Sequence, residues 1–443
     1  MSQSISQKFT ALTLLKFALP TMVMMGFMSL YTIVDGIFVS RFAGSDALSS
    51  INIVYPILNL LIAVGVMLAT GGSAVVSKQL GEGKPGEARE SFSMIAAAGV
   101  IVSIALLVVT LLFLEQICIF LGANSALLYN SKTYLWILML FAPACILQTL
   151  YQSFLVTAGK PRLGLILIVC GGISNAAFDY LFIAVLGWGV AGAAIATGIG
   201  QMIPAVFGTV YFFWVRKELY YTKFRLHGRT MLQACGNGSS EMVSQLSNAV
   251  ITVLFNLILM KLAGSDGVAA ITIILYGQFL FSSLYLGFTI GVGPVFGFHF
   301  GAGHLDEVHR LHKICRKFIF ICNVVVTLLS FFGAPLIVSA FVGRESAAYA
   351  LTLNGFILFS ASYLFNGLNL YYSGLFTALS DGKSSAIISF SRTFVFIIIS
   401  LMVLPVLLGI NGVWLAVPLA EFLTVFVALF LAKKTDRPLD GRP

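Results

Sequence analysis

Charge is scarce in this chain: Asp, Glu, Lys and Arg make up 10% of its 443 residues, while 59% are hydrophobic. A soluble domain carries about a quarter charged residues, so water is excluded as the solvent for most of this surface. Mean hydropathy is +0.98. Cysteine is sparse too, six residues with no CxxC or metal-type spacing, and these thiols are expected to be reduced and structural. The P-loop, HExxH and GxSxG signatures are missing. The chain is therefore not read as an enzyme, and any uphill work must draw on an ion gradient or a partner. Four of the five histidines, His299, His304, His309 and His312, gather around one segment. A solvated loop is expected there rather than a metal site, and no cofactor is implied.

Long apolar runs are what the chain has in abundance. A run of about 20 residues crosses a hydrocarbon core of about 30 Å, and backbone groups in lipid must be satisfied internally, which means helices for runs this continuous. Twelve spans are expected. The first six are residues 14–40, 51–77, 91–114, 133–157, 163–186 and 188–214; the second six are 233–260, 268–298, 316–341, 350–379, 385–408 and 411–432. The first apolar run is too long for a signal peptide and lacks a cleavage-like site. The net charge of +9 is distributed by topology. With the N-terminus in the cytoplasm, 21 Lys/Arg fall in cytoplasmic segments, four outside (Arg41, Lys132, Lys261, Arg344) and one, Arg392, within a span. That bias predicts a multi-pass inner-membrane protein with both termini cytoplasmic, in contact with lipid and not with nucleic acid.

An internal repeat organises the spans. At an offset of 220, "FAGSDALSSINI" (42–53) stands against "LAGSDGVAAITI" (262–273), and Gly71/Gly291, Gly81/Gly301, Gly83/Gly303 and Glu87/Glu307 are identical in register. Tyr151, Ser153, Leu155, Thr157 and Ala158 pair with Tyr371, Ser373, Leu375, Thr377 and Ala378; after a three-residue insertion Gly159-Lys160 stands against Gly382-Lys383. A six-helix repeat keeps both halves in one orientation, related by an axis along the membrane normal, which is a transporter architecture. The lobes are expected at residues 1–215 and 233–443, joined by a basic cytoplasmic linker at 216–232.

Five charged residues inside spans need explaining, because each costs a few kcal/mol at mid-membrane on insertion scales. Asp35 lies about 5 residues from the outer end of span 1, Asp179 about 7 from that of span 5, and Thr197 about 9 from that of span 6. Asn175 sits one turn from Asp179 on the same face. Two carboxylates with an amide and a hydroxyl oxygen suit a proton, because burial and like-charge repulsion favour one shared between them. They equally suit Na⁺, which takes hard oxygen ligands. At the repeat offsets Asp35 matches Phe255 and Asp179 matches Met402, so this acid pair is confined to the first half. Glu241, Arg392 and Glu421 form a second set, open to structural pairing or to a coupling role. Gln148, Gln152, Gln201, Gln245, Gln278, Asn366 and Asn369 read as packing contacts.

The motifs "VDGIFVSRFAGSDALS", "GEGKPGEA", "SNAAFDYLFI" and "GVAGAAIAT" resemble the multidrug and toxic compound extrusion (MATE) family, and the resemblance spans residues 10–432. It implies an all-α, twelve-helix efflux antiporter of two six-helix bundles that exchanges H⁺ or Na⁺ for organic, often cationic amphipathic compounds by rocking. In the DinF-like branch the implied cation site falls on Asp35, Asn175, Asp179 and Thr197, with Tyr134 beside it. The other bacterial branch carries an acid in span 10, where "SYLFNGLNLYYSGLF" has none, and the role of its span 7 glutamate is not transferred to Glu241. A monomer is expected. Two other readings are a lipid-linked oligosaccharide flippase, which would want a basic cavity, and a non-transporting sensor or scaffold, for which the repeat offers no reason.

Overall fold

Glycines decide where two helices of this protein touch. The computed structural model describes residues 5–38, 42, 45–125 and 127–439, which form helices joined by short turns, with no strand among them; Arg41 and Arg442 lie outside the described residues. The helices are α1 (Ala11–Phe38), α2 (Ser45–Gly81), α3 (Pro85–Leu112), α4 (Leu114–Phe120), α5 (Leu128–Leu140), α6 (Ala142–Thr157), α7 (Pro161–Asp179) and α8 (Gly189–Trp214) in the first half. The second half holds α9 (Gly228–Gly301), α10 (Leu305–Phe341), α11 (Ala347–Ser360), α12 (Tyr363–Ala378), α13 (Gly382–Phe390), α14 (Phe396–Leu408) and α15 (Ile410–Leu439).

These account for the twelve expected crossings. Ten stretches are long and apolar enough to span singly, and α9 supplies two of them because Gly264, at φ 63°, breaks it in the middle. The other two crossings are bent pairs, α5–α6 at 55° and α11–α12 at 50°. Pro143 in the first turn of α6 explains the first bend, since a proline there cannot continue the preceding helix's hydrogen bonds. The bends recur at matching places in the repeat.

Apolar side chains sort into two cores. One gathers Val54, Leu68, Phe92, Leu150, Phe154 and Phe212 from the first half; the other gathers Phe255, Phe296, Tyr363, Tyr371 and Trp414 from the second. Ile5, Phe9, Leu14, Phe17 and Ala18 pack with the second core, although they begin the chain. Between the halves α2 lies along α9. A Cβ on Gly81 would overlap the carbonyl oxygen of Phe298, and one on Gly301 would overlap that of Lys78. These two contacts are equivalent under the repeat, since 78 and 298, like 81 and 301, stand 220 apart. Small residues let membrane helices approach to backbone contact in this way. Gly83 and Gly303, both near φ 74°, then turn the chain into α3 and α10, which only glycine does without strain. Away from this seam Tyr55 of α2 and Tyr276 of α9 are exposed and lie within electrostatic range of each other.

The structure corrects three sequence expectations. The turn after α6 matches the turn after α12 at an offset of 221, not 223: Gly159 and Ser380 both have positive φ, and Lys160 and Asp381 both precede the next helix. Met402 is 70% exposed while Asp179 is fully buried; the buried residue at offset 221 is Ser400, again not an acid. The histidines are only partly in a solvated loop: His304 is exposed in the turn after α9, whereas His299, His309 and His312 lie in helices. His299 is buried, and the His312 ring hydrogen-bonds the Tyr371 hydroxyl at 2.9 Å. Among the described residues no three His, Cys, Asp or Glu side chains gather to hold a metal, and all six cysteines are free thiols.

Ser77 is fully buried on the glycine seam, against Gly297 of the other half. A Cys at this position, in a background lacking the six native cysteines, should resist a polar maleimide in detergent. Overpacking costs about 1–3 kcal/mol, so adding Gly81→Leu should raise the labelling rate by about tenfold. Equal rates would mean that the seam does not hold this end shut.

Candidate functional site

The first-half site is assembled by α1, α5, α7 and α8. Helices α7 and α8 cross closely because a Cβ on Gly171 would crowd the Gly200 carbonyl at 2.6 Å, and one on Gly200 would crowd Asn175 Cβ at 2.8 Å. That crossing fixes Asn175, and one turn later Asp179, in the interior. Directly after Asp179 the helix widens into a π-helical segment, Tyr180–Val185. Such segments are rare and occur frequently at functional sites. On the other side α1 packs along α7 and brings Asp35 to Asp179, the two carboxyl groups lying within hydrogen-bonding reach of one another.

Both Asp179 oxygens and Oδ1 of Asp35 are buried with no hydrogen-bond donor, and the Asn175 Nδ2 is likewise unpartnered. Buried polar atoms are normally paired. Two ionised carboxylates in contact repel, and a carboxylate is acceptor-only. Chemically, such an arrangement can take up a proton or a metal cation between the oxygens. Tyr134, buried on α5, reaches Thr197 on α8 and lies within electrostatic range of both acids. The four oxygen- and nitrogen-bearing residues expected at one depth, and Tyr134, thus occupy one region. Tyr31 and Tyr55 also lie within range of Asp35. Neither was singled out in the sequence, although Tyr31 stands four residues before Asp35, on the same helical face.

In the second half the acid is already satisfied. Glu421, buried on α15, accepts from Asn366 Nδ2 at 2.9 Å and from Asn369 Nδ2 at 2.7 Å, both on α12, and Arg392 Nη1 reaches it at 3.3 Å. Arg392 sits in a second π-helical segment, Ser391–Val395, so both halves widen the corresponding helix beside a charge. Glu241 on α9 feels the charge of Arg392, but the direct ion pair is Arg392–Glu421. Asn366 and Asn369, expected to be packing contacts, are the donors that hold this network. Their i,i+3 spacing on one face was the legible signal.

The MatE family profile matches residues 20–181 and 242–402, one segment in each half. Multidrug export protein MepA of Staphylococcus aureus is 24% identical over 434 aligned residues, covering 94% of this chain and 92% of that protein. The MepA protein of Staphylococcus saprophyticus is 23% identical with the same coverage. Among solved structures, an outward-facing multidrug resistance MATE family transporter of the MOP superfamily superposes with a TM-score of 0.91 at 21% identity, over 98% of both chains. A MATE crystal structure in the straight conformation gives 0.91 at 20% identity, over 97% of this chain and 96% of that one.

Breaking a buried ion pair costs about 3–5 kcal/mol, because the remaining charge is left uncompensated. Arg392→Met should therefore lower the thermal midpoint in detergent sharply, and Arg392→Met combined with Glu421→Gln should recover part of that loss. A double variant no more stable than the single one would show that the pair's charge is not what matters.

Proposed function

The chain belongs to the MatE family, and on that premise we propose that it is a secondary multidrug efflux antiporter coupled to H⁺ or Na⁺ at Asp35 and Asp179. The observation that carries this reading is the pair of facing carboxyl groups whose buried oxygens have no donor. A cation satisfies them, and its departure restores repulsion between α1 and α7. Ion occupancy therefore biases how α1 sits against the first bundle, which is the handle an antiporter needs. Asn175 and Thr197 offer further oxygens, and Tyr134 closes the site from α5.

The substrates are organic, chiefly cationic amphipathic compounds, taken into the cleft between the lobes 1–215 and 233–443. The protein works as a monomer in the inner membrane with both termini and the 216–232 linker in the cytoplasm, as the bias of 21 basic residues against four favours. In that orientation the glycine seam is cytoplasmic, and the exposed tyrosines mark an outward-open cleft. The second-half network positions helices: Glu421 already has three donors. Arg392 is committed to it, which leaves no free buried cation among the described residues for an oligosaccharide diphosphate. An inward potential of 100 mV supplies about 2.3 kcal/mol per charge, so one or two ions per cycle drive a useful gradient.

Everted vesicles loaded with dye, under an imposed proton gradient or an imposed Na⁺ gradient separately, test both function and ion. Asp35→Asn and Asp179→Asn should each abolish gradient-driven dye movement while leaving membrane insertion and expression unchanged. Normal export by both variants would end the assignment.

A further inference from the structure

A polar cavity of about 430 Å³ lies at the glycine-seam end and bridges the two halves. From the first half it is lined by Lys78 and Gln79 of α2 with Glu82, Lys84 and Glu87; from the second by Arg229 and Asn237 of α9 and by Ser380. Three of its polar atoms are buried with no partner: Gln79 Oε1, Asn237 Nδ2 and Ser380 Oγ. Asn237 is only 5% exposed, so its amide is committed to this space. Ser380 is the one non-glycine residue with positive φ among the described residues. Strain of this kind persists where the surroundings hold it and clusters at ligand sites.

The repeat shows that the fold does not require this cavity. At offset 220 Arg229 and Asn237 correspond to Phe9 and Phe17, which are fully buried and pack edge-on at 5.5 Å. The related place in the second half is thus plugged by aromatic rings. In the first half the same place is open, polar and lined by cations.

The lining chemistry selects an anion. Lys84 is shared between Glu82 at 3.3 Å and Glu87 at 3.9 Å at the rim. Lys78 and Arg229 have no acidic partner among the described residues; Lys78 lies over the Phe300 ring at 5.6 Å. The first turn of α9 starts at Gly228 without a side-chain cap, and free N–H groups at a helix start attract anions. Asn237 and Ser380 add neutral donors. Several donors with two cations around a space this size match the oxygens of a phosphate group.

We propose that this cavity binds a phosphate group, carried by a soluble phosphomonoester or by an anionic lipid headgroup, and that its occupancy holds the two halves together at the seam. A ligand touching Lys78 on one side and Arg229 and Asn237 on the other favours the closed seam over any state in which α2 and α9 separate. That this end is cytoplasmic rests on the orientation proposed above; binding itself does not.

The test uses the purified full-length protein and does not depend on transport. In detergent, inorganic phosphate and glycerol phosphate should raise the thermal midpoint saturably, compared with chloride at matched ionic strength. Nanodiscs of phosphatidylglycerol against phosphatidylcholine supply the lipid arm. A shift with the soluble compounds assigns a soluble ligand, and a shift only in phosphatidylglycerol assigns a headgroup. Charge-assisted hydrogen bonds are worth about 1.5–3 kcal/mol, so Lys78→Gln/Arg229→Gln should weaken the effective arm by about tenfold or more. Asn237→Asp, isosteric but negative, should do the same, whereas Lys217→Gln on the linker should not. Absence of a saturable shift in every arm, or a shift that survives both cavity variants, would overturn the proposal.

Discussion

Backbone contact between α2 and α9 at Gly81 and Gly301 is the constraint on which the rest of the molecule hangs. Lipid offers no hydrophobic drive for helices to associate, so close packing must come from shape. Here the shape is glycine against carbonyl, made twice by the repeat. Because each glycine meets the carbonyl three residues before its own mate, the contact is self-complementary, as a two-fold interface must be. It holds the halves together at one end and leaves Tyr55 and Tyr276 exposed away from it. A seam in which glycines meet backbone and the facing side chains are as small as Ser77 has little to interlock, and that suits a surface which must part and rejoin.

The two halves solve one physical problem in opposite ways. Each buries an acid on a helix of its bundle, at a cost that lipid makes steep. In the second half Glu421 receives two amide donors and a guanidinium, and the cost is offset within the protein. In the first half Asp35 and Asp179 face each other without donors. A satisfied acid stiffens its surroundings, while an unsatisfied pair leaves its two helices open to the cation dependence proposed for them. Duplication produced two equivalent bundles; the placement of donors made one a frame and the other responsive.

Much of this was legible in the sequence, because the membrane permits so few structures. Twelve apolar runs had to be twelve crossings, and a 220-residue offset in Gly81, Gly83, Gly301 and Gly303 had to mean repeated turns and contacts. Depth along each helix alone puts Asp35, Asn175, Asp179 and Thr197 at one level. What escaped were features set by local backbone geometry. The bends within α5–α6 and α11–α12, and the π-helical segments beside Asp179 and Arg392, alter register without altering hydropathy. For the same reason the offset at the α12–α13 turn was misjudged by two residues, and Met402 was matched to Asp179 where the buried residue is Ser400. Asn366 and Asn369 looked like ordinary packing because their partner, Glu421, lies 52 or more residues away.

The linker shows how the halves are tied as well as joined. Arg89 of α3 donates to the carbonyls of Lys217 and Glu218 and stacks over Tyr220 at 4.4 Å. Tyr221 shares a hydrogen bond with Tyr151 at 2.7 Å, and burial beside that phenol pushes its own hydroxyl to hold its proton more tightly. The linker thus belongs mechanically to the first bundle. At the chain's start the tie runs the other way, with the Phe9 carbonyl held by Arg310 of α10 at 2.6 Å and its ring in the second core. Helix α1 therefore has its beginning anchored in the second bundle and its Asp35 level packed on α7 of the first. A helix held at both ends by different bodies must flex or tilt when those bodies rock. The carboxyl pair sits on the part of α1 where such a movement is felt by Asp179.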